Sequence, residues 1–129
     1  MKKTVLDTSV LIRFWMQQAL SKMSSGDVRK GARTLIERMD TNAIVTPVYV
    51  ECISGTRTDN ELKLMREYLR EFCIIDEGHV SDADWIETIR SAKRIPKDGK
   101  PRQLGDCLIN AIARRLNHDV FSHDKRIDG

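Results

Sequence analysis

The chain has 129 residues and a mass of 14.8 kDa, the size of a single domain (residues 1–129) with one hydrophobic core. It is 40% hydrophobic and 32% charged, with a formal net charge of +3 and a pI near 8.9. This composition excludes disorder and collagen-like structure, its apolar runs are too short for a membrane-spanning helix, and its mild basicity is compatible with a nucleic-acid partner without requiring one.

In chain order, Thr4-Val5-Leu6 reads as a strand that ends at Asp7. Asp7 also interrupts the only N-terminal apolar run, so no leader peptide is expected. Ser9 is placed to cap a helix through Val10, Leu11, Phe14 and Trp15. Ser21 to Asp27 reads as a polar loop, and Val28, Ala32, Leu35, Ile36 and Met39 then repeat at helical spacing. Ala43 to Thr46 reads as a second strand, followed by a helix with Thr46 as cap and Pro47 at its first position. Leu62, Met65, Tyr68, Leu69 and Phe72 mark another helix, and Cys73-Ile74-Ile75 a short strand closed by Asp76-Glu77-Gly78. Ser81 and Asp84 form a capping-box pair ahead of a helix whose expected buried stripe is Trp85, Ile86, Ile89 and Ala92. A loop from Ile95 to Gln103 precedes the last long helix, marked by Leu104, Leu108, Ile109, Ile112 and Leu116. Asp119 to Ser122 is the final strand. Strands alternating with helices predict an α/β three-layer domain with a short parallel sheet. The three cysteines, Cys52, Cys73 and Cys107, have no metal spacing and read as reduced, buried thiols of a cytoplasmic protein.

In open parallel sheets, ligands bind beyond the carboxyl ends of the strands. Four acids fall near that edge. Asp7 follows the first strand, Glu51 lies on the helix after the second, Asp106 opens the last long helix, and Asp124 follows the last strand. Singly, each has an ordinary explanation: a turn, a surface position, or a first-turn aspartate favoured by the helix dipole. Asp7 fits such an explanation least, because it breaks an apolar run and a buried charge must be paired or coordinated. Two carboxylates about 5 Å apart at an effective dielectric of about 20 repel by roughly 3 kcal/mol. Convergence of four therefore demands protons or a cation. Oxygen-only ligands suit Mg²⁺ or Mn²⁺. Such an ion can ionise a water and neutralise charge on a phosphodiester.

Four segments now carry a resemblance. They are Val5-Leu6-Asp7-Thr8-Ser9-Val10-Leu11-Ile12, Pro47-Val48-Tyr49-Val50-Glu51-Cys52-Ile53-Ser54-Gly55, Leu104-Gly105-Asp106-Cys107-Leu108-Ile109-Asn110-Ala111-Ile112-Ala113, and Val120-Phe121-Ser122-His123-Asp124. In this order they resemble the four acidic motifs of the PIN-domain family, and the single-domain length resembles its VapC-type toxins. Ser122 departs from the commoner threonine, and Asn117-His118 replaces a frequent glycine at the helix end. The resemblance implies a Mg²⁺- or Mn²⁺-dependent endoribonuclease that leaves 5′-phosphate and 3′-hydroxyl ends. It also implies an inhibitory antitoxin partner and a homodimer.

Supporting roles follow from position. Thr8 and Ser9 can bond the carboxylates or a water. Asn110 lies one helical turn after Asp106 on the same face, and Ser122 sits beside Asp124. Basic charge gathers between Arg90 and Arg102, where Asp98 is the lone acid. Lys97, Lys100 and Arg102 are expected beside the acidic pocket, holding the RNA backbone; a solvated loop is the plainer reading. The three histidines have no zinc spacing and read as exposed turn residues. Phe14, Trp15, Phe72 and Trp85 read as core or dimer surface, and the Leu11–Leu20 segment as a possible antitoxin or dimer contact. Two other classes remain open. An aspartyl-phosphate enzyme with Asp7 as nucleophile lacks the expected second acid or late lysine. A non-catalytic RNA- or protein-binding relative would keep the acids without turnover.

Overall fold

The computed structural model describes residues 3–94 and 103–123. Asp124, Lys97, Lys100 and Arg102 lie outside the described residues. Strand β1 spans Lys3–Leu6 and leads into helix α1, Thr8–Gln17. A 3₁₀ turn at Leu20–Lys22 precedes α2, Ser25–Met39. Then come β2 (Ala43–Ile44), α3 (Thr46–Ser54), α4 (Asp59–Leu69), β3 (Cys73–Ile74), α5 (Asp82–Ala92), α6 (Leu104–Arg115) and β4 (His118–Phe121).

The four strands form one parallel sheet in the order β3-β2-β1-β4, flanked by helices as the alternating pattern predicts. Central β1 places Val5 opposite Ala43 of β2 and Val120 of β4. Val5 and Leu6 are fully buried, as suits a strand covered on both faces. The core continues through Leu11, Val28, Ile44, Met65, Ile109 and Ile112. Tyr68 ties α4 to α1: its hydroxyl donates to the Leu11 carbonyl at 2.9 Å, and its ring lies 5.1 Å from that of Trp15. Asn117 ends α6 in the left-handed region, at φ 58°, where asparagine substitutes well for glycine.

Several expectations are corrected. The polar loop before α2 is shorter than expected, because Ser24 caps a helix that already starts at Ser25. Ser9 does not cap α1; the Asp7 carboxylate does, accepting from the Ser9 amide at 3.4 Å. Thr46 does not cap α3 either, as its own amide is capped by Asp76 from the end of β3, at 3.0 Å. Cys52 and Cys107 are buried, but Cys73 is exposed. In the Leu11–Leu20 segment, Leu11, Phe14, Trp15 and Leu20 are buried in the core, while Met16 is exposed.

The largest correction concerns α5. Trp85, Ile86, Ile89 and Ala92 face outward, while Asp84, Thr88 and Ser91 are buried on the side that packs against α6. The inward polar face is satisfied locally. Asp84 accepts from the Ser81 amide at 2.9 Å, completing the capping box, and from Arg115 Nε at 2.7 Å. Thr88 donates to the Asp84 carbonyl at 2.7 Å. Burial pushes the Asp84 carboxyl up, but the Arg115 and Ser81 hydrogen bonds outweigh it and hold the pKa below the ordinary range.

Candidate functional site

Register builds the site. The ladder between β1 and β4 runs one step past the strands, with the Asp7 amide donating to the Phe121 carbonyl at 3.0 Å. Asp7 therefore stands at the carboxyl end of the central strand, and Ser122 arrives beside it from the far end of the chain. Ser122 Oγ donates to Asp7 Oδ2 at 2.8 Å, and Ser9 Oγ donates to the same oxygen at 2.9 Å. The Ser9 hydroxyl in turn accepts from the His123 amide at 3.0 Å. Both serine protons are thus spent on Asp7, and their 3.2 Å separation follows from sharing one acceptor.

This bonding is one-sided. Asp7 is 3% exposed, and its Oδ1 is buried with no hydrogen-bond partner. A carboxylate with one oxygen loaded by donors and the other bare, away from water, is electrostatically incomplete.

Glu51 comes from the second turn of α3, just after β2. Its carboxylate accepts from Thr8 Oγ1 at 2.8 Å, so the residue after Asp7 reaches the second acid. On the opposite side lies Gly105. A Cβ built there would sit 2.8 Å from Glu51 Oε2 and 3.1 Å from Oε1. Only glycine lets the start of α6 approach the carboxylate this closely. The Glu51 pKa is raised, first by burial of its carboxyl and then by the negative charge of Asp7, with the Thr8 bond opposing both. The neighbouring Cys52 thiol is pushed up to about 12 by burial, Glu51 and Asp7, so it stays protonated and inert at neutral pH.

Asp106 is half-buried in the first turn of α6, directly after Gly105, and Asn110 is half-buried one turn later. Hence Asp7 and Glu51 are brought together with Thr8, Ser9 and Ser122 as donors, and the stretch that carries Asp106 abuts Glu51. Among the described residues, no three His, Cys, Asp or Glu side chains are close enough to form a metal cage. The all-oxygen donor set and the bare Oδ1 of Asp7 fit a hard cation held by few protein ligands.

Two residues escaped the sequence reading. Gly105 carries a signal only in its place before Asp106. Asp76 looked like a turn residue, yet it is 5% exposed and receives both the Thr46 amide and the Thr46 hydroxyl, at 3.0 and 2.9 Å. It fixes the start of the helix that delivers Glu51. No local pattern reveals this, because the bond spans two strands.

The PIN domain family model matches residues 4–129, nearly the whole chain. This chain belongs to the PIN-domain family. PIN domains form a nuclease superfamily whose members are generally metal-dependent, so membership supports a nuclease role. No curated protein and no solved structure matches the chain. Among the described residues of this PIN domain, no helix is long and apolar enough to cross a membrane.

Proposed function

We propose that this PIN domain is a Mg²⁺- or Mn²⁺-dependent endoribonuclease and the toxin of a type II toxin–antitoxin pair. The observation that carries the nuclease chemistry is the buried, unpartnered Oδ1 of Asp7 beside the desolvated carboxyl of Glu51. Asp7, Glu51 and Asp106 would hold the ion, with Asp124 as the fourth acid of the motif set. When bound, a divalent ion lets these carboxylates ionise together, neutralises phosphate charge and lowers the pKa of water.

The chain's own residues do the positioning. Ser9 and Ser122 hold Asp7 Oδ2, which leaves Oδ1 as the free ligand atom. Thr8 fixes Glu51 Oε1 and favours its ionised form. Asn110 would supply an amide to the Asp106 side of the cleft. Lys97, Lys100 and Arg102 would grip the RNA backbone through its phosphates. The toxin reading adds an inhibitory antitoxin and a second copy of this chain as partners, in a cytoplasmic setting.

An RNA cleavage assay tests the proposal. Wild type should cut RNA with Mg²⁺ or Mn²⁺ and stop on chelation, leaving 5′-phosphate ends. Asp7→Asn should abolish cutting while the fold persists. RNA binding without cleavage would instead give a non-catalytic binding module. Neutralising Lys97, Lys100 and Arg102 together should weaken RNA binding and flatten its salt dependence; an unchanged slope removes them from the interface. A small overlapping upstream reading frame encoding a DNA-binding protein would support the toxin assignment.

A further inference from the structure

The end of β4 carries an exposed pair of rings beside the site. Phe121 is 42% exposed and stands outside the hydrophobic core, and His123, just past the strand, is exposed as well. Their ring centroids lie 5.6 Å apart, with the planes at 83°. A single exposed apolar side chain is ordinary, but this one is singled out by its place. Phe14, Trp15, Tyr68 and Phe72 are buried and Tyr49 is half-buried, which leaves Trp85 and Phe121 as the exposed aromatics. Of these two, Phe121 adjoins a residue that bonds Asp7. We propose that the Phe121–His123 pair stacks one unpaired base of the RNA, the base next to the phosphodiester held at Asp7, and that it favours a purine there.

The backbone on both sides of Ser122 is pinned to the site. The Phe121 carbonyl accepts from the Asp7 amide at 3.0 Å, and the His123 amide donates to Ser9 Oγ at 3.0 Å. Between them, Ser122 Oγ donates to Asp7 Oδ2 at 2.8 Å. On an extended chain, neighbouring side chains take opposite faces and side chains two apart share one. Ser122 therefore reaches Asp7, while the two rings meet on the other face. Consecutive Cα atoms are about 3.8 Å apart, so the rings stand beside the site without crowding its carboxylates. That is where the nucleotide next to a held phosphate passes. The ring geometry leaves room for a base. In an edge-to-face pair the edge-on ring keeps both faces and the other ring keeps one. A ring already braced by its neighbour on a pinned backbone loses little freedom when a ligand stacks on it. Unpaired RNA bases are recognised by such stacking on phenylalanine and histidine rings. Charge points the same way. Asp7 and Glu51 repel a phosphate backbone, whereas stacking on the uncharged phenyl ring is not opposed by them. Purines offer the larger π face, and base preference at a stacking site follows stacking strength.

The inference rests on the RNA substrate proposed above and adds a subsite for one of its bases. Binding is measured in the Asp7→Asn background, which should not cut, with a short unstructured RNA. There Phe121→Leu keeps the apolar bulk but removes the ring, and it should raise Kd about 10-fold. The salt slope should stay the same, because no phosphate contact is lost. Phe121→Tyr keeps the ring and should bind as the parent does. An abasic nucleotide walked along the RNA should weaken binding about 10-fold at one position, and at that position it should leave the Phe121→Leu affinity unchanged. In the chain that retains Asp7, Phe121→Leu should raise KM about 10-fold at nearly constant kcat and lose the preference for a purine beside the cut. Far-UV spectra should coincide, since the ring lies outside the core. An RNA affinity indifferent to Phe121→Leu would leave the rings to a protein contact at the sheet edge and overturn the inference. A loss that Phe121→Tyr shares, or an abasic walk without a sensitive position, would overturn it too. If wild type cuts RNA while Phe121→Leu changes nothing, the subsite alone fails. If RNA binds through the rings but wild type leaves it intact, the subsite stands and the nuclease reading fails.

Discussion

At the scale of single residues, the site is set by where atoms are denied space or partners. Gly105 is the clearest case. Alanine there drives a methyl to within 2.8 Å of Glu51 Oε2. The clash falls on the movable end of a side chain, so folding tolerates it, and replacing a helical glycine gains up to about 1 kcal/mol. Function should not tolerate it: a ligand displaced by about 1 Å costs on the order of 10²-fold in rate. Gly105→Ala should therefore melt at or above the wild-type temperature while kcat/KM for RNA cleavage falls about 100-fold. Unchanged kcat/KM would mean that Glu51 has no positional role. Glu51 supplies a pH prediction. Its raised pKa means that the folded, metal-free chain holds this proton more tightly than the unfolded chain. Stability without metal therefore falls as pH rises from the ordinary glutamate value through the raised one. Cation binding needs the carboxylate, so metal affinity and cleavage should rise over the same window. Thr8→Val removes the bond that lowers this pKa and should move the acidic limb of the pH–rate profile to higher pH. A limb that stays in place would detach Thr8 from Glu51. Asp7, Glu51, Thr8, Ser9 and Ser122, which the structure brings together, could be picked out from the motifs. The bare oxygen on Asp7 could not, since it depends on both serines choosing Oδ2.

At the scale of elements, periodicity foretold most helices, and the two largest misses come from contacts distant in sequence. Ser81 caps from within its own segment and was read so, whereas Ser24 caps α2 from inside what read as a loop. The cap on α3 comes from Asp76, a strand away, so its start was assigned to the wrong residue. In α5 the 3.6-residue period correctly marked an apolar face, but periodicity does not say whether the same chain covers it. What turned the helix is the Asp84–Arg115 pair, a contact between residues 31 positions apart. Removing Arg115 should reveal its weight. Breaking a buried pair costs several kcal/mol, but Arg115 is about a third exposed, so about 2 kcal/mol is the expected loss for Arg115→Ala. That corresponds to a drop of roughly 8 °C in Tm near neutral pH. Asp84 has a lowered folded pKa, so its contribution is present above the ordinary aspartate value and is lost as pH falls through the lowered one. The difference between wild type and variant should close over that acidic range. A gap that persists at the lowest pH would assign the loss to packing.

At the scale of the whole molecule, the parallel sheet is what turns scattered acids into a site. Parallel strands send all their carboxyl ends to one edge, so Asp7, the start of α3, Asp76 and Ser122 share a boundary despite coming from four separate stretches of chain. A shared edge for the residues after each strand was legible from strand–helix alternation; the part of Asp76 and the degree of crowding were not, because they depend on the Thr46 bonds, on Gly105 and on the direction of two serine hydroxyls. The same edge loads the folded state with negative charge that the unfolded chain disperses. A divalent ion that binds only the folded form must then stabilise it by mass action, about 2.7 kcal/mol at a hundredfold excess over Kd. Thermal melts of wild type should accordingly shift upward by roughly 10 °C with saturating Mg²⁺. Asp7→Asn keeps an oxygen for Ser9 and Ser122 while relieving the repulsion on Glu51. Without metal it should melt no lower than wild type, and it should lose most of the Mg²⁺ shift. If the variant instead responds to Mg²⁺ as strongly as wild type, the ion is bound elsewhere, and the unpartnered oxygen at the end of β1 is not its ligand.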